Sequence, residues 1–399
     1  ISLWSWFWPK LTAFLYKFRI QASFKILGGV SHDGEKSSSF RRRKRRYDRA
    51  AELKEKGFEI SLYELPQFAK NLQVMQEKGG ILLQEPNEVP AKEVFLPLDL
   101  ITTDIAAAVK DAQIIMLTIP GFAIEAFTEI LAPVATEDQV IFFNGAAAMG
   151  CVRFAKKAKE MGIDKTFKLC EVNSLSYGTR GFADEARVEL TLRVKKLFFA
   201  AYPKENTAEL FDACKQIYSC LVPADNVWHT TLENGNPEVH PGPCMLNAGR
   251  IDYSNGEFWL YREGITSHTV NVLRAIERER MNIGRAFGFE LEDAVQSRYR
   301  RGYFSNDQQD LQTLFNTSEV FTKIKGPTSV TGRYFTEDIS TGLVLWSNLG
   351  RIAGVPTPNI DAVITLGCSL LQEDFYTTGL TLDKLNLSNL SVEELIQAV

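Results

Sequence analysis

The first half of the chain alternates short, continuous apolar runs with amphipathic stretches of helical period. Continuous apolar runs predict strands that are buried on both faces, and the amphipathic stretches predict the helices that cover them. We predict strands at 24–29, 58–64, 112–119, 139–143, 166–171, 188–194 and 197–202, the last two as a closing pair, and helices at 48–57, 104–109, 124–131 and 152–161. This alternation indicates a doubly wound parallel sheet.

After Pro203 the apolar positions recur almost only at helical spacing, and strand patterns nearly vanish. Helices are predicted at 207–221, 243–251, 265–287, 291–299, 307–316, 341–352 and 361–371. The fold class is therefore α/β followed by all-α: an N-terminal Rossmann-like doubly wound parallel sheet and an all-helical C-terminal domain. We divide the chain into an atypical N-terminal extension at 1–24, a Rossmann-like domain at 25–204 whose segment 25–46 is aberrant, and a helical domain at 205–399.

The composition of the chain argues against some classes of binding partner and against a metal site. The 399 residues are 45% apolar and carry a net charge of −4, so there is no global attraction to nucleic acid or to a membrane surface. The six cysteines are scattered and lack the Cys/His spacing of a zinc site, which favours a protein without a metal in a reducing, cytoplasmic environment.

Several strand ends carry residues that suit a bound dinucleotide. The predicted strand 58–64 ends in Glu64, at the place where a Rossmann acid binds the adenosine ribose hydroxyls, and this favours NAD over NADP because a carboxylate repels a 2′-phosphate. Other strand ends assigned to the cofactor are Gly28 and Gly29, Ile119 and Pro120, and Asn144.

The glycine fingerprint of such a domain is missing. By helix length it belongs at about Arg41, where the sequence reads RRRKRR, and arginine side chains would block the approach of a pyrophosphate to the backbone. The pair Gly28-Gly29 begins 13 residues before Arg41, too early for one compact turn. One hypothesis is a shifted reading frame over an intact glycine stretch, which resequencing of the transcript would test.

His240 is the strongest candidate for chemistry in the second half. It stands directly before Pro241, and proline fixes φ and lacks an N–H, so the histidine is predicted at the boundary of an element. Imidazole exchanges protons near neutral pH, which suits a general acid–base; a structural histidine that caps a helix is the alternative. His229, in a mixed apolar run, is predicted to be structural.

Several blocks of the second half occur in the order and spacing of one known family. They are His240-Pro241-x-Pro243 with Leu246-Asn247-Ala248, then Glu263-Gly264-Ile265-Thr266, the run RYFTEDISTGLV at 333–344, and Val355-Pro356-Thr357-Pro358. The chain thus resembles the octopine/nopaline (opine) dehydrogenases, most closely the bacterial N-(1-carboxyethyl)amino-acid dehydrogenase type. The resemblance implies NAD(P)H-dependent reductive condensation of an amino acid with an α-keto acid such as pyruvate.

The resemblance also implies roles for single residues. His240 and Asp338 would form the acid–base pair, and Arg333 would hold the keto-acid carboxylate; without the resemblance, a surface ion pair on a loop is the simpler interpretation of Arg333 and Asp338. Asn247 would face the substrate or make a helix-packing hydrogen bond, and Arg180 matches a substrate-site position.

Two other functions stay open at this point. One is a different dehydrogenase with a helical second domain, of the ketopantoate-reductase or glycerol-3-phosphate-dehydrogenase type, although no lysine motif of that kind is evident. The other is a binding protein with impaired cofactor binding, as the basic run at 41–46 suggests. Partners are expected to be small molecules, and a homodimer is expected by analogy alone.

Overall fold

The computed structural model describes residues 13–20, 22–29, 53–145 and 148–399. These residues form two compact units. The first contains the described residues up to Arg193 together with Glu205–Leu221, and the second contains Val194–Lys204 and Val222–Val399. The boundary predicted near Glu205 lies at one of the three places where the chain passes from one unit to the other. The run at 41–46 lies outside the described residues.

The first unit is organised around parallel strands, as the apolar runs predict. Its strands in chain order are β1 (Ala13–Ile20), β2 (Ala22–Gly29), β3 (Ser61–Tyr63), β4 (Gly80–Glu85), β5 (Lys92–Pro97), β6 (Leu100–Thr102), β7 (Ile114–Thr118), β8 (Val140–Phe143), β9 (Lys168–Val172), β10 (Tyr177–Phe182) and β11 (Arg187–Arg193). The main sheet runs in the order β1-β2-β7-β8-β9 within this unit, with β2, β7, β8 and β9 parallel and β1 antiparallel to β2. Every residue of β7 and β8 is buried, which is why these strands read as unbroken apolar runs.

Two strand predictions are wrong in their pairing. The strand predicted at 58–64 is found as β3, but it pairs with β6 in a separate ribbon, because β1 and β7 use both edges of β2. The strand predicted at 188–194 is found as β11, but it does not close the main sheet. It belongs to a second, four-stranded sheet in the order β10-β11-β4-β5, whose strands other than β11 the sequence pattern did not predict.

Four helices of the first unit fall close to predicted positions: Ile105–Val109, Ile124–Leu131, Gly150–Glu160 and Thr207–Lys215. The helix Gln73–Lys78 was not predicted, and neither were the short 3-10 helices at Pro66–Asn71, Gly121–Ala123, Ala183–Glu185 and Lys204–Asn206, the last of which passes between the units. The described end of the helix predicted at 48–57 is a helical turn at 53–55 that stops at Gly57, whose φ of 87° is open to glycine without strain.

The second unit is helical apart from β12 (Leu197–Tyr202) and β13 (Leu221–Pro223) near its entry points. Its α-helices are Val227–Leu232, Asn236–Val239, Pro241–Leu246, Ala248–Ser254, Leu260–Glu263, Ser267–Ala286, Ala294–Arg300, Leu311–Thr317, Arg333–Glu337, Val344–Ile352, Pro358–Leu371, Phe375–Thr378 and Val392–Gln397. A π-helix covers Asp338–Leu343, and a 3-10 helix covers Asp383–Leu385. The long helix begins where Thr266 caps it by accepting from Thr269 N–H.

Helices shorter than two turns account for most of what the periodicity missed in this unit, since so few residues cannot show a helical repeat. The helix predicted at 243–251 is in fact two helices that meet at Asn247, whose φ and ψ of −113° and 14° are not helical. Across the described ranges, no helix is both long enough and apolar enough to span a bilayer.

Candidate active site

His240 lies at the junction of two short helices, Asn236–Val239 and Pro241–Leu246. It ends the first and precedes Pro241 at the start of the second, so the predicted boundary position is confirmed. Its Nδ1 atom is 2.7 Å from Oδ2 of Asp338, and both side chains are buried, at 11% and 8% exposure. A carboxylate on Nδ1 selects the tautomer with the proton on that nitrogen and leaves Nε2 as the nitrogen that gains and loses a proton.

Asp338 begins a π-helical turn inside a longer helical stretch. The α-helix Arg333–Glu337 runs directly into the π-helix Asp338–Leu343, which runs into the α-helix Val344–Ile352. The carbonyl of Ser340, inside this turn, accepts from Leu380 N–H at 2.7 Å. Single π turns inside α-helices often accompany functional sites because they shift the face of the helix by part of a turn.

A buried charge network anchors the helix that carries His240. Glu238 is 1% exposed, and its carboxylate lies 3.2 Å from Arg280 and 3.4 Å from Arg298. Arg280 also donates to the carbonyls of Leu232 and Glu292, at 2.9 and 2.7 Å. Removal of one partner from such a buried set leaves an uncompensated charge, so these residues restrict the position of the segment before His240.

Gly342 lets the π-helix approach the helix of His240. A Cβ atom at this position would lie 2.2 Å from Pro237 Cγ, a distance that atoms in proteins do not adopt. Gly342→Ala should therefore lower the free energy of unfolding by about 1–3 kcal/mol, as overpacked cores do. Urea unfolding of the purified variant measures this change.

Gly249 supplies the matched control for that substitution. It lies on the exposed side of the helix Ala248–Ser254, and a Cβ atom there would meet nothing within 4 Å. Gly249→Ala should raise the free energy of unfolding by about 0.5–1 kcal/mol, because alanine loses less conformational entropy in a helix. Equal effects of the two alanines would contradict the close approach of Gly342 and Pro237.

Arg333 and Asn247 are the other predicted residues of this unit. Arg333 lies on a helix and not on a loop, and its Nε atom is 3.1 Å from Glu337, one turn further on. The Asn247 amide donates to the carbonyls of Pro243 and Gly264, at 2.8 and 3.2 Å. These are the helix-packing hydrogen bonds that were the alternative role for Asn247. Its amide nitrogen thus links two backbone segments.

The first unit brings the predicted cofactor residues of the main sheet to one edge. β2, β7 and β8 are parallel, and their register places Gly28 opposite Thr118 and Leu117 opposite Phe143. Ile119 and Pro120 follow β7, and Asn144 follows β8 with its N–H donated to Leu117 and its side chain accepting from Ser176 at 2.8 Å. The carboxyl edge of a parallel sheet is where open α/β folds bind ligands.

Glu64 and Arg180 are placed elsewhere in the first unit. Glu64 follows β3, is fully buried, and accepts from Leu65 N–H at 2.9 Å and from the Asn71 amide at 3.1 Å. Arg180 is exposed on β10, opposite Glu189 in the four-stranded sheet. Neither belongs to a strand of the main sheet, and the roles of both stay predictions.

Sequence reasoning missed two features near the site. Tyr334 stacks on His240, with ring centroids 3.8 Å apart and ring planes inclined by 14°. Its spacing of four residues from Asp338 places both on one face of a helix, and that spacing could have found it. Glu233 is 1% exposed, and burial raises its pKa to about 7. No sequence pattern distinguishes it from a surface glutamate.

His229 is buried among contacts that suit the structural role predicted for it, and that role stays a prediction. Its Nδ1 atom lies 2.7 Å from Asp225, and its ring stacks on Phe289 with a centroid distance of 5.0 Å. Burial is the main cause that lowers its pKa, against the opposing effect of Asp225. For the residues that the structure describes, no group of three or more histidine, cysteine or acidic side chains is arranged to hold a metal ion.

Comparisons with known proteins agree on one family. The family profile described as NAD/NADP octopine/nopaline dehydrogenase, alpha-helical domain, matches residues 223–371. The opine dehydrogenase of Arthrobacter sp. (strain 1C) is 32% identical over 352 residues, which cover 88% of this chain and 94% of that protein. The range that the family profile matches includes both His240 and Asp338.

Solved structures show the same fold. Octopine dehydrogenase with NADH and L-arginine superposes with a TM-score of 0.63 at 19% identity, covering 83% of this chain and 89% of that one. Yersinopine dehydrogenase with NADP+ superposes with a TM-score of 0.64 at 13% identity, covering 84% of this chain and 92% of that one. The predicted fold class, a Rossmann-like domain followed by a helical domain, is confirmed.

Proposed function

The chain belongs to the octopine/nopaline (opine) dehydrogenase family, and from that premise we propose that His240 and Asp338 are the acid–base pair of its reaction. The protein is an NAD(P)-dependent oxidoreductase that condenses an amino acid with an α-keto acid and reduces the product to an N-(carboxyalkyl)amino acid. Family membership sets aside the ketopantoate-reductase and glycerol-phosphate alternatives. The observation that carries the residue assignment is the contact of 2.7 Å between His240 Nδ1 and Asp338.

The condensation requires a group that takes a proton and returns it. Neutral His240 takes a proton at Nε2 from the ammonium group of the amino acid, and the freed amine attacks the keto carbon. One of the two remaining amine protons passes to the carbonyl oxygen to give the carbinolamine, and the imidazolium then gives its proton to the hydroxyl, which leaves as water and produces the iminium that accepts the hydride. Asp338, hydrogen-bonded to Nδ1, stabilises the imidazolium and keeps the ring in one tautomer. His240 thus takes up one proton and returns one proton, and the imidazole is neutral again when the condensation ends.

Arg333 is our choice for binding the carboxylate of the keto acid. A guanidinium offers several N–H donors in a rigid fork that matches a carboxylate in two parallel bonds. Glu337 lies against its Nε atom and orients the group from that side. Because Arg333 lies on the helix that leads into Asp338, carboxylate binding and acid–base chemistry are carried by one segment.

The described residues at the carboxyl edge of the main sheet fit a nicotinamide dinucleotide. Gly28 and Gly29 end β2 without side chains, and Pro120 and Asn144 follow the two neighbouring strands, so the backbone there is open to a close approach. When bound, the reduced nicotinamide supplies the hydride. Glu64 would exchange its contact with Asn71 for the ribose hydroxyls and would disfavour the 2′-phosphate of NADP.

An amine-dependence assay tests the proposed reaction. Purified protein is incubated with NADH or NADPH, pyruvate and a panel of amino acids, and oxidation of the dinucleotide is followed with mass analysis of the product. We expect oxidation only when both the keto acid and an amino acid are present, a secondary amine as product, and a lower KM for NADH than for NADPH. Oxidation by the keto acid alone would contradict the proposal.

The basic run at 41–46 requires a separate measurement of cofactor binding, because it replaces the glycine turn. NADH fluorescence titration is run on the chain as it stands and on a variant in which 41–46 read GGGNGG. Binding by both would mean that the chain as it stands holds the dinucleotide. Binding by the restored variant alone would favour the impaired-cofactor alternative and leave the chemistry of His240 intact.

Small molecules are the partners that this reaction requires. The amino acid and the keto acid are both present in the cytoplasm, and the scattered, free cysteines suit that reducing compartment, so we place the protein there. A homodimer and the absence of nucleic-acid and membrane partners stay predictions, which size-exclusion chromatography with light scattering and binding assays would test.

A further inference from the structure

We propose that Tyr334 is a positioning residue that fixes the plane of the His240 imidazole by stacking on its face. The inference rests on the proposed function of His240 and goes beyond the acid–base pair itself. Tyr334 and His240 have ring centroids 3.8 Å apart and planes inclined by only 14°. Three other stacked ring pairs in the described residues lie further apart, at 5.0, 5.6 and 5.2 Å.

The hydrogen bond to Asp338 fixes the position of Nδ1 more firmly than the tilt of the ring. The terminal torsion of a histidine is broad, so rocking of the ring about that contact would carry Nε2 away from its target. A second ring parallel to the imidazole opposes this rocking, because a tilt of the imidazole pushes one of its edges into the neighbouring ring. The carboxylate and the phenol ring therefore restrain different motions of His240.

Both restraints come from one helical segment. Tyr334 lies in the helix Arg333–Glu337, and Asp338 follows four residues later at the start of the π-helix. Residues at this spacing lie on the same face, so their side chains can reach one target. The close approach of Gly342 to Pro237 then holds this segment against the helix that ends at His240. Tyr334 itself is half-buried.

His229 shows what the same pair of contacts looks like away from the chemistry. It too has a carboxylate on Nδ1 at 2.7 Å and a stacked ring, that of Phe289. Its stacking distance is 5.0 Å, and its carboxylate partner Asp225 is 65% exposed, whereas Asp338 is 8% exposed. The stacked rings are therefore closer together, and the carboxylate is more buried, at His240 than at His229.

Substitutions at Tyr334 separate the ring from its hydroxyl. Tyr334→Phe keeps the stacking ring and should keep kcat close to that of the natural chain. Tyr334→Leu removes the ring and should lower kcat about 10- to 100-fold with little change in the KM values of both substrates, as small misplacements of a catalytic group do. Tyr334→Met is measured in parallel as a second apolar replacement, in case the leucine variant does not fold. Phe289→Leu is the control and should leave kcat unchanged.

A spectroscopic measurement without substrate makes the test independent of the reaction. In protein labelled with ¹⁵N at histidine, the Nδ1 proton of His240 in its hydrogen bond to Asp338 should give a low-field signal that the natural chain and Tyr334→Phe share. Tyr334→Leu and Tyr334→Met should broaden or shift it. If no amino acid is condensed by any variant, the proposed function fails while this signal still tests the stacking.

Three results would overturn the proposal. A loss of kcat in Tyr334→Phe equal to that in Tyr334→Leu would mean that the hydroxyl acts and not the ring. Unchanged kcat in Tyr334→Leu and Tyr334→Met would mean that the ring restrains nothing. A loss of kcat with an unchanged low-field signal would mean that Tyr334 acts on the substrate and not on His240.

Discussion

His240→Asn should lower kcat for opine formation by about a thousand-fold, within the range that general acid–base groups contribute. Asparagine has a similar size and can still hydrogen-bond to Asp338, but it cannot take up and return a proton. The KM for the keto acid should change little because Arg333 is left in place. Steady-state kinetics with NADH, pyruvate and the preferred amino acid measures both quantities.

The matched control for this substitution is His229→Asn. His229 is also buried in the second unit and also has a carboxylate 2.7 Å from Nδ1, so the two histidines differ in surroundings more than in contacts. We expect the variant to keep its kcat per folded molecule, with any cost appearing in the free energy of unfolding. A thousand-fold loss in His229→Asn, or a retained kcat in His240→Asn, would contradict our assignment of the acid–base group.

Glu233→Gln should stabilise the protein at alkaline pH. Burial raises the pKa of Glu233 to about 7 from an ordinary 4.5, so the folded chain binds this proton more tightly than the unfolded chain. The resulting stability is fully present below about pH 4.5 and is lost as the pH rises through about 7. Over this window it amounts to about 3 kcal/mol, at about 1.36 kcal/mol for each unit of pKa. Glutamine resembles the protonated form and keeps the oxygen that accepts from Glu292 N–H.

Urea unfolding of both proteins between pH 5 and pH 8 measures this effect. Between pH 5 and pH 8 the difference between the two free energies of unfolding should grow by about 2–3 kcal/mol in favour of the variant. His229 acts in the opposite direction, because its lowered pKa removes stability as the pH falls. Its Nε2 atom lies 4.0 Å from Glu233 Oε1, so the two proteins are compared chiefly between pH 7 and pH 8, above the range in which this imidazole takes up a proton. The exposed Glu290 gives the control: Glu290→Gln should run parallel to the natural chain at every pH. If the free energy of unfolding of Glu233→Gln also ran parallel to that of the natural chain, the pKa of the Glu233 carboxyl would not be raised.

Local sequence patterns predicted the elements whose side chains are buried on all sides. β7 and β8 appear within two residues of the predicted runs, since a strand covered on both faces leaves no polar position to confuse the pattern. The long helix Ser267–Ala286 was predicted for a related reason, because twenty residues display many helical turns. β4, β5 and β10 were missed: their mixed exposure makes the alternation irregular.

Strand pairing was less predictable than strand position. The sequence places β3 one helix after the segment 24–29, which suggests adjacency in one sheet, yet β1 and β7 occupy both edges of β2. In the same way β11 precedes β12 along the chain but pairs with β10 and β4. A strand can pair only with a strand edge whose N–H and C=O groups are not yet bonded, and the apolar periodicity of the sequence does not show which edges those are.

The sequence by itself determined the family and the two-part architecture, because these depend on residue types at short spacings. The candidate acid–base residues His240 and Asp338 followed from the resemblance to that family. Only the tertiary structure brought His240 to within hydrogen-bond distance of Asp338, 98 residues away, and laid Tyr334 on its face. It also turned Asn247 towards backbone carbonyls and buried Glu233 and Glu238. Orientation, burial and the resulting pKa values arise from packing between distant segments, and packing is a property of the folded chain that no local pattern records.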